Sequence, residues 1–421
     1  LHVPIFLFAF LGAVSLLRGS MIYGDWYFGK VVIPLKQWLT PLLIYFLVFL
    51  SVRDERVLKN SVGIIMACVA VVGLMAIKDY IDVGPMGSIE KERIGAIAEQ
   101  PNMLAVFFVY YMFLFAAFWF CNLSKLKYWL LLIPFLLCFR GIQVTFSRGG
   151  YLAFFTGLFA LAFFRGKRYF FLGILLVIFA LMNPAILPQG IVYRLFSTFK
   201  NVEGVDKEAL QRISSDIYEG EGGNLVLDGS AQGRLDVWKG GMRIIADHPF
   251  WGTGYDTFGT IVPYYAPELH GRRLDAHNSY IIIAAEMGIP ALLVFLWIVW
   301  VAIWKSRWLY RHSRNPFYRA MALGFLAGLF GLLMGNMFGS RLDAQEVSGH
   351  FWVLCALVMR AIALEKTAKP IPVKAANNNR KVSNKKKSMR RGETVHPKSL
   401  SASLKKFDEW KYEKENPKPS P

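Results

Sequence analysis

Long blocks of predominantly apolar residues recur along the chain, and each is long enough to cross a membrane as a helix. Clear examples are 31–50, 103–120, 169–187 and 280–304. About 20 apolar residues, at a rise of about 1.5 Å each, span a hydrocarbon core of about 30 Å. The blocks lack the alternation of membrane β-strands, and only helices or closed barrels satisfy backbone groups in lipid. We therefore predict an all-α polytopic membrane protein.

We predict about ten transmembrane helices and one large loop between the seventh and the eighth. The helices are expected at about 3–17, 31–50, 62–77, 103–120, 128–146, 150–164, 169–187, 279–304, 319–338 and 350–364. This gives seven helices within 1–187, a partly helical extracytoplasmic loop at 188–278, three helices within 279–364 and a disordered tail at 365–421. The chain begins with Leu1 rather than methionine, so we expect part of its natural start to be missing.

Basic side chains follow every second predicted helix. They cluster around Arg53, Lys125, Lys167 and Arg311, while the intervening connectors are acidic or mixed. The positive-inside rule then puts the basic connectors and the tail in the cytoplasm, and the large loop outside the cell membrane.

The net charge of +19 could suggest nucleic acid, but its distribution argues against that interpretation. Residues 365–421 hold 16 Lys or Arg against 6 Asp or Glu. We interpret this polar tail as a disordered cytoplasmic segment that contacts anionic membrane lipids, and expect no nucleic-acid partner. A tail that binds RNA or a protein partner is the alternative.

The large loop contains one segment with helical periodicity. Residues 233–248 predict an amphipathic helix that ends at Pro249, with Leu235, Trp238, Met242 and Ile245 on its apolar face. Residues 251–254 predict a tight turn, and Asn278 is a suitable N-cap for the next span.

His277 is the most interesting polar residue in the large loop. It lies at the start of the predicted span 279–304, where free backbone N–H groups carry partial positive charge. That field favours a neutral imidazole, which a general base requires. Asp275 could oppose this effect or orient the ring. The alternative is an interfacial histidine that only hydrogen-bonds the loop backbone.

Two arginines are candidate anion ligands. Arg148, between two apolar blocks and beside glycines, suits a phosphate, although snorkelling or an ion pair would also explain it. Arg234 opens the amphipathic helix, where a cation opposes the helix dipole, so a phosphate or carboxylate contact would explain its position. An ordinary surface arginine is the alternative. Arg272 and Arg273 rank lower as further anion contacts.

These candidates share one chemistry. The sequence has no zinc spacing, no paired carboxylates and no nucleotide phosphate loop, so we expect neither a metal nor another cofactor. Arginines stabilise a phosphorylated leaving group, and a neutral histidine deprotonates an acceptor hydroxyl. Together they suit transfer of a group from a phosphate-linked lipid donor.

The chain resembles the O-antigen ligase/polymerase superfamily of bacterial membrane proteins over residues 30–360. The resemblance rests on Arg93-Ile-Gly, Gln100-Pro-Asn102, Ser147-Arg148-Gly149, Gly233-Arg234-Leu-Asp-Val-Trp238, the segment 248–258, and His277-Asn278-Ser-Tyr280 with Glu286-Met-Gly288. It implies a GT-C type glycosyltransferase of the bacterial inner membrane that takes part in polysaccharide or lipopolysaccharide biosynthesis for the cell envelope.

The resemblance also implies the partners. The donor would be a glycan on undecaprenyl pyrophosphate, and the acceptor another glycan, a lipid A core or a protein hydroxyl. The family's arginines correspond to Arg148 and Arg234, and its loop histidine to His277. We predict a ligase or polymerase that inverts the anomeric centre without a metal. Alternatives are a protein O-oligosaccharyltransferase of the same family, a transporter of a small anion, and a scaffold that recruits partners through its tail.

Overall fold

The computed structural model describes residues 1–84, 94–95, 100–182, 229–266, 274–339 and 345–367, and their regular secondary structure is helical throughout. The helices are α1 (His2–Tyr23), α2 (Asp25–Ser51), α3 (Glu55–Val83), α4 (Pro101–Cys121), a 3₁₀ segment (Leu126–Leu131), α5 (Leu132–Val144), α6 (Arg148–Arg165), α7 (Lys167–Met182), α8 (Gly229–Asp247), α9 (Phe258–Tyr265), α10 (Ser279–Met287), α11 (Ile289–His312), α12 (Pro316–Gly335) and α13 (Gln345–Thr367).

Within the described ranges, seven helical stretches are long and apolar enough to cross a membrane. They are α1, α2, α3, α4, the stretch Leu126–Val144, α11 and α12. This confirms an all-α polytopic membrane protein. The predicted number of about ten spans stays a prediction. Helix α7, for example, has 16 residues before the described part stops at Met182.

Helices α4 and α12 form the centre of the bundle, with 78% and 72% of their most apolar stretches buried. Small residues of α12 let the two backbones approach closely. A Cβ added to Gly328 would overlap the carbonyl oxygen of Tyr110, and one added to Gly324 would lie 2.8 Å from the Cα of Leu114. Such contacts supply the dispersion energy that holds helices together in lipid, where the hydrophobic effect contributes little.

The connectors between the long helices lie at two ends of the bundle. At one end, which we call the basic end, the amide of Asn315 donates to the carboxylate of Glu55 (2.7 Å) and joins the starts of α3 and α12. The clusters around Arg53, Lys125, Lys167 and Arg311 all lie at this end. The opposite, or loop, end carries α8 and α9. The side of the membrane that each end faces remains a prediction.

The predicted single span at 279–304 is interrupted in the structure. Helix α10 ends at Met287, Gly288 adopts a left-handed φ of 87°, and α11 begins at Ile289 with a proline in its first turn. Glycine reaches this conformation without steric cost, and a proline suits the start of a new helix. The apolar block that predicted one span at 279–304 therefore contains two helices, α10 and the first part of α11.

Helix α8 exists as predicted, but only part of the predicted apolar face is buried: Trp238 and Ile245 are half-buried, whereas Leu235 and Met242 are not. Val237 and Ile244 are buried, while Leu235 and Met242 are 37% and 58% exposed. The reason is a pair of glycines. A Cβ on Gly240 would lie 2.8 Å from Val262, and one on Gly241 would lie 2.6 Å from Ile281. The small glycine face approaches its neighbours most closely and turns the predicted face partly outward.

The start of α8 also corrects the argument about Arg234. The helix begins at Gly229, so Arg234 lies in its second turn rather than its first. The dipole penalty applies within the first turn only, and it no longer explains why an arginine occupies this position. The segments 183–228 and 368–421, which include the part of the predicted large loop before α8 and most of the predicted basic tail, lie outside the described residues.

Candidate active site

A loop at residues 248–257 lies directly against the break between α10 and α11. Gly252, with a φ of 63°, packs against the backbone of Glu286, and Gly288 packs against the backbone of Phe250. Backbone hydrogen bonds join Thr253 N to Ala285 O (2.9 Å), Gly254 N to Glu286 O (3.1 Å) and Ile289 N to Pro249 O (2.7 Å). The predicted turn and the break between α10 and α11 therefore form one structural unit.

Glu286 is the polar centre of this unit. Its side chain is 6% exposed, and its two carboxylate oxygens accept the backbone N–H groups of Asp256 and Phe258, both at 2.9 Å. A carboxylate at the first turn of α9 also complements the positive end of that helix. In addition, the hydroxyl of Ser15 donates to the Glu286 carbonyl at 2.8 Å, which ties α1 to the same point.

The 248–257 loop also reaches into the bundle between α1 and α2. Tyr255 is 7% exposed. The hydroxyl of Tyr27 donates to its carbonyl at 2.6 Å, and its own hydroxyl donates to the carbonyl of Pro34 at 3.4 Å. Its ring lies 5.8 Å from that of Trp38. These contacts fix the loop to the helical bundle.

Helices α8 and α9 cover this unit with a small hydrophobic cluster of their own. Its buried members are Val237, Ile244, Phe258, Val262, Ala276 and Ala285. They come from α8, α9, the segment before His277 and α10. The cluster holds the His277 segment between the loop helices and the start of α10, so the position of His277 depends on packing as well as on local hydrogen bonds.

His277 lies just before the N-cap of α10 with its side chain exposed. Its φ of 46° is left-handed, which few residues other than glycine adopt. The Asp275 carboxylate holds it there by accepting the His277 backbone N–H at 3.0 Å. The second carboxylate oxygen lies 3.1 Å from the ring Nδ1. Asn278 caps α10 as predicted, accepting the N–H groups of Tyr280 and Ile281 at 3.0 and 3.2 Å.

Trp238 connects α8 to the His277 segment. Its indole N–H donates to the carbonyl of Ala276 at 2.7 Å. Its ring lies 6.2 Å from the ring of Phe338, just beyond the end of α12. Arg234 precedes Trp238 by four residues, so both side chains project from the same face of α8. The structure thus brings the Arg234 face and the His277 segment into one region.

Arg148 belongs to the same region through Phe338. It is the first residue of α6, whose N-cap Ser147 accepts the N–H of Gly150 at 3.2 Å. A Cβ on the next residue, Gly149, would lie 3.1 Å from the Cβ of Phe338. The segment before α6 contains a second strained residue, Phe146, with a φ of 47°. Arg148 thus follows a left-handed residue at a helix amino terminus, and His277 is itself such a residue before α10.

Arg272 and Arg273 lie outside the described residues. The acidic residue nearest to Arg234 along α8, Asp236, is engaged elsewhere. Lys239 approaches its carboxylate at 2.9 Å, Gln232 donates to it at 3.1 Å, and the Lys239 contact lowers the pKa of Asp236.

Sequence reasoning assigned no role to Glu286 or Phe338, and it placed Trp238 only on the apolar face of α8. Each acts through a contact with a residue at least about 30 positions away in the chain: Glu286 with Asp256, Trp238 with Ala276, and Phe338 with Trp238. The sequence offered one signal for the first, since a carboxylate inside an apolar block is costly unless it is paired or hydrogen-bonded.

Comparison with known proteins supports the family resemblance. A family model described as O-antigen ligase matches residues 133–296, which include Arg148, Arg234, His277 and the Glu286 unit. No curated protein matches the chain. The family match supports a multi-pass membrane protein of the ligase or polymerase type. The family in general implies a lipid-linked glycan and an acceptor as partners. The match over residues 133–296 thus supports the predicted resemblance to the O-antigen ligase/polymerase superfamily.

Proposed function

We propose that this protein transfers a glycan from undecaprenyl pyrophosphate to an acceptor hydroxyl, with inversion at the anomeric carbon and without a metal. The observation that carries the proposal is the contact region around Phe338 and Trp238. It joins the segments of Arg148, Arg234 and His277, which are far apart in the sequence. In this proposal the region faces the extracytoplasmic side of a bacterial inner membrane.

The donor pyrophosphate binds near the amino termini of α6 and α10. The helix dipoles give these termini partial positive charge, which favours phosphate. Arg148, the first residue of α6, adds a full positive charge, and Arg234 approaches from α8. Guanidinium groups bind phosphate oxygens in bidentate geometry, so both arginines stabilise the leaving pyrophosphate. The prenyl chain lies between helices in lipid.

His277 removes the proton of the acceptor hydroxyl. Its Nδ1 lies 3.1 Å from the Asp275 carboxylate, and a proton on Nδ1 leaves Nε2 free to accept another. The acceptor oxygen then forms a bond to the anomeric carbon as the bond from that carbon to the phosphate oxygen breaks. Undecaprenyl pyrophosphate leaves with the electron pair, and the imidazolium returns its proton to solvent.

The broken span at Gly288 invites comparison with transporters, in which broken helices coordinate substrate ions. Here the 248–257 loop fills the break, and the Glu286 carboxylate accepts two backbone N–H groups. A filled break with a hydrogen-bonded carboxylate supports a scaffold for the loop rather than an ion path. The fold therefore favours the transferase over the anion transporter.

The proposal is tested with the full chain in proteoliposomes that contain a glycan on undecaprenyl pyrophosphate. Glycan, lipid A core and serine-containing peptide acceptors are offered separately, and the product is resolved by mass spectrometry. We expect transfer to one acceptor class, which distinguishes polymerase, ligase and protein glycosylase. We also expect Arg148→Gln and Arg234→Gln to weaken donor binding at least about tenfold.

Lys239→Gln is the matched control for Arg234→Gln. It removes one positive charge from the exposed surface of the same helix, where Lys239 pairs with Asp236, and should leave donor binding unchanged. Transfer to none of the three acceptors, or equal donor binding by all three variants, would refute the proposal.

A further inference from the structure

A cavity of about 550 Å³ lies at the basic end of the bundle, opposite the candidate active site. Its cationic lining residues are Lys59, Lys125 and Arg314, and its aromatic ones are Phe118, Tyr128 and Phe317. It is formed where the start of α3, the end of α4 and the start of α12 meet. Its size falls in the range of sites that hold small ligands, about 300–1,000 Å³.

The cavity carries an excess of positive charge. Its acidic residue, Glu55, is already engaged, because it pairs with Lys59 and accepts a hydrogen bond from the Asn315 amide at 2.7 Å. The side chains of Lys125 and Arg314 pair with no acidic side chain among the described residues, while the backbone N–H of Arg314 donates to the Glu365 carboxylate. The amino terminus of α12, capped by Asn315, adds partial positive charge at the same place. An anion at the mouth of the cavity would complement these groups.

The chain beside the cavity is apolar and exposed. The 3₁₀ segment begins directly after Lys125, and its residues Leu126, Trp129 and Leu130 are 83%, 45% and 66% exposed. A soluble anion gains nothing from such a surface. An amphiphile gains from both parts, because its headgroup meets the cations and its chains cover the apolar side chains.

We propose that this cavity binds the phosphate headgroup of an anionic phospholipid, with the acyl chains along the 3₁₀ segment. Lys125 and Arg314 contact the phosphate, and the aromatic residues line the glycerol region. The positive-inside rule assigns the basic end to the cytoplasmic leaflet, where anionic lipids attract basic side chains. The site is independent of glycan transfer at the opposite end.

The test uses the full chain purified in detergent and titrated with dioleoyl phosphatidylglycerol, with native mass spectrometry as the readout. Lys125→Gln/Arg314→Gln is compared with Lys127→Gln/Arg311→Gln, which removes the same charge from the same end at two residues that do not themselves line the cavity. We expect the first pair to weaken lipid binding at least about tenfold and the second pair less than about twofold.

Two further titrations identify the ligand class. Dioleoyl phosphatidylcholine should bind weakly because its headgroup has no net charge, and free glycerol phosphate should bind weakly because it lacks acyl chains. Equal losses in the two double variants would reduce the effect to general surface charge and overturn the proposal. Binding of glycerol phosphate as tight as that of the lipid would overturn it in favour of a soluble anion. Absence of phosphatidylglycerol binding to the unmodified chain would overturn it outright.

Discussion

The centre of the bundle and its loop end are built by different means. Between α4 and α12, small residues bring two backbones into contact, and Gly328 leaves no room for even one methyl group. At the loop end, a 248–257 loop with left-handed glycines is held by hydrogen bonds to Glu286 and to the break at Gly288. The first region is stabilised by dispersion contacts, and the second by polar contacts that must be satisfied away from water.

Because of this difference, the centre of the bundle mainly determines folding stability, whereas the loop end mainly determines the positions of the candidate site residues. The central helices can tolerate little change in volume, but they leave the chemistry to other residues. The loop end contains strained residues, Phe146 and His277, just before the helix amino termini of α6 and α10. Strain of this kind costs about 1–3 kcal/mol per residue and persists where the surroundings fix the conformation. We therefore expect substitutions in the centre to affect folding and substitutions at the loop end to affect transfer.

The largest effect should come from Gly328→Leu. The new side chain would overlap the Tyr110 carbonyl, and neither helix can move without losing its other contacts. We expect destabilisation of at least about 3 kcal/mol and loss of the monodisperse peak in size-exclusion chromatography. Gly63→Leu is the control, since a Cβ on Gly63 meets nothing within 4 Å. Equal yields of the two variants would contradict the role of close α4–α12 packing.

A smaller effect on stability but a clear effect on transfer should follow from Glu286→Gln. The amide offers one acceptor where the carboxylate offers two, so an N–H of Asp256 or Phe258 loses its partner, at a cost of about 1–3 kcal/mol. We expect a lower Tm together with at least about tenfold slower transfer.

Glu365→Gln is the matched control for Glu286→Gln. Glu365 also accepts two hydrogen bonds, from the Ser313 hydroxyl (2.9 Å) and the Arg314 N–H (3.1 Å), but at the basic end. It should lower the Tm while transfer by the folded protein stays the same. If Glu286→Gln and Glu365→Gln slow transfer equally, Glu286 has no special role in positioning the candidate site residues.

The smallest effect should come from Trp238→Phe. This change keeps an aromatic ring beside Phe338 and removes only the hydrogen bond to the Ala276 carbonyl, worth about 1 kcal/mol. We expect transfer to slow about threefold to tenfold with little change in Tm. Trp300→Phe, at a residue that is 67% exposed on α11, should change neither. A fall in Tm without slower transfer would make Trp238 a purely structural residue.

Much of the helical bundle could be predicted because the bilayer fixes the length of each apolar block. The cap at Asn278 was also predictable, since it depends on local chemistry. The break at Gly288 and the buried face of α8 were not. Both depend on the 248–257 loop and on close approaches at Gly240 and Gly241, which are tertiary contacts that periodicity does not report.

The candidate site divides in the same way. His277, Arg148 and Arg234 could be selected from the sequence because polar residues beside apolar blocks need a reason. Their location in one common region could not be predicted from the sequence, because it depends on the contact between Phe338 and Trp238, which joins the end of α12 to α8. The roles of Arg148, Arg234 and His277 remain predictions, and Arg272 and Arg273 lie outside the described part of the chain.

The central claim is that His277 is the base that activates the acceptor, and His277→Asn tests it most directly. Asparagine tolerates the left-handed backbone at φ 46°, so the change removes the imidazole with little added strain. The measurement is the single-turnover rate of glycan transfer in proteoliposomes, with donor binding and Tm recorded on the same sample. We predict unchanged donor binding and Tm and transfer slowed at least about 100-fold. Transfer within about threefold of the unmodified protein would contradict the account.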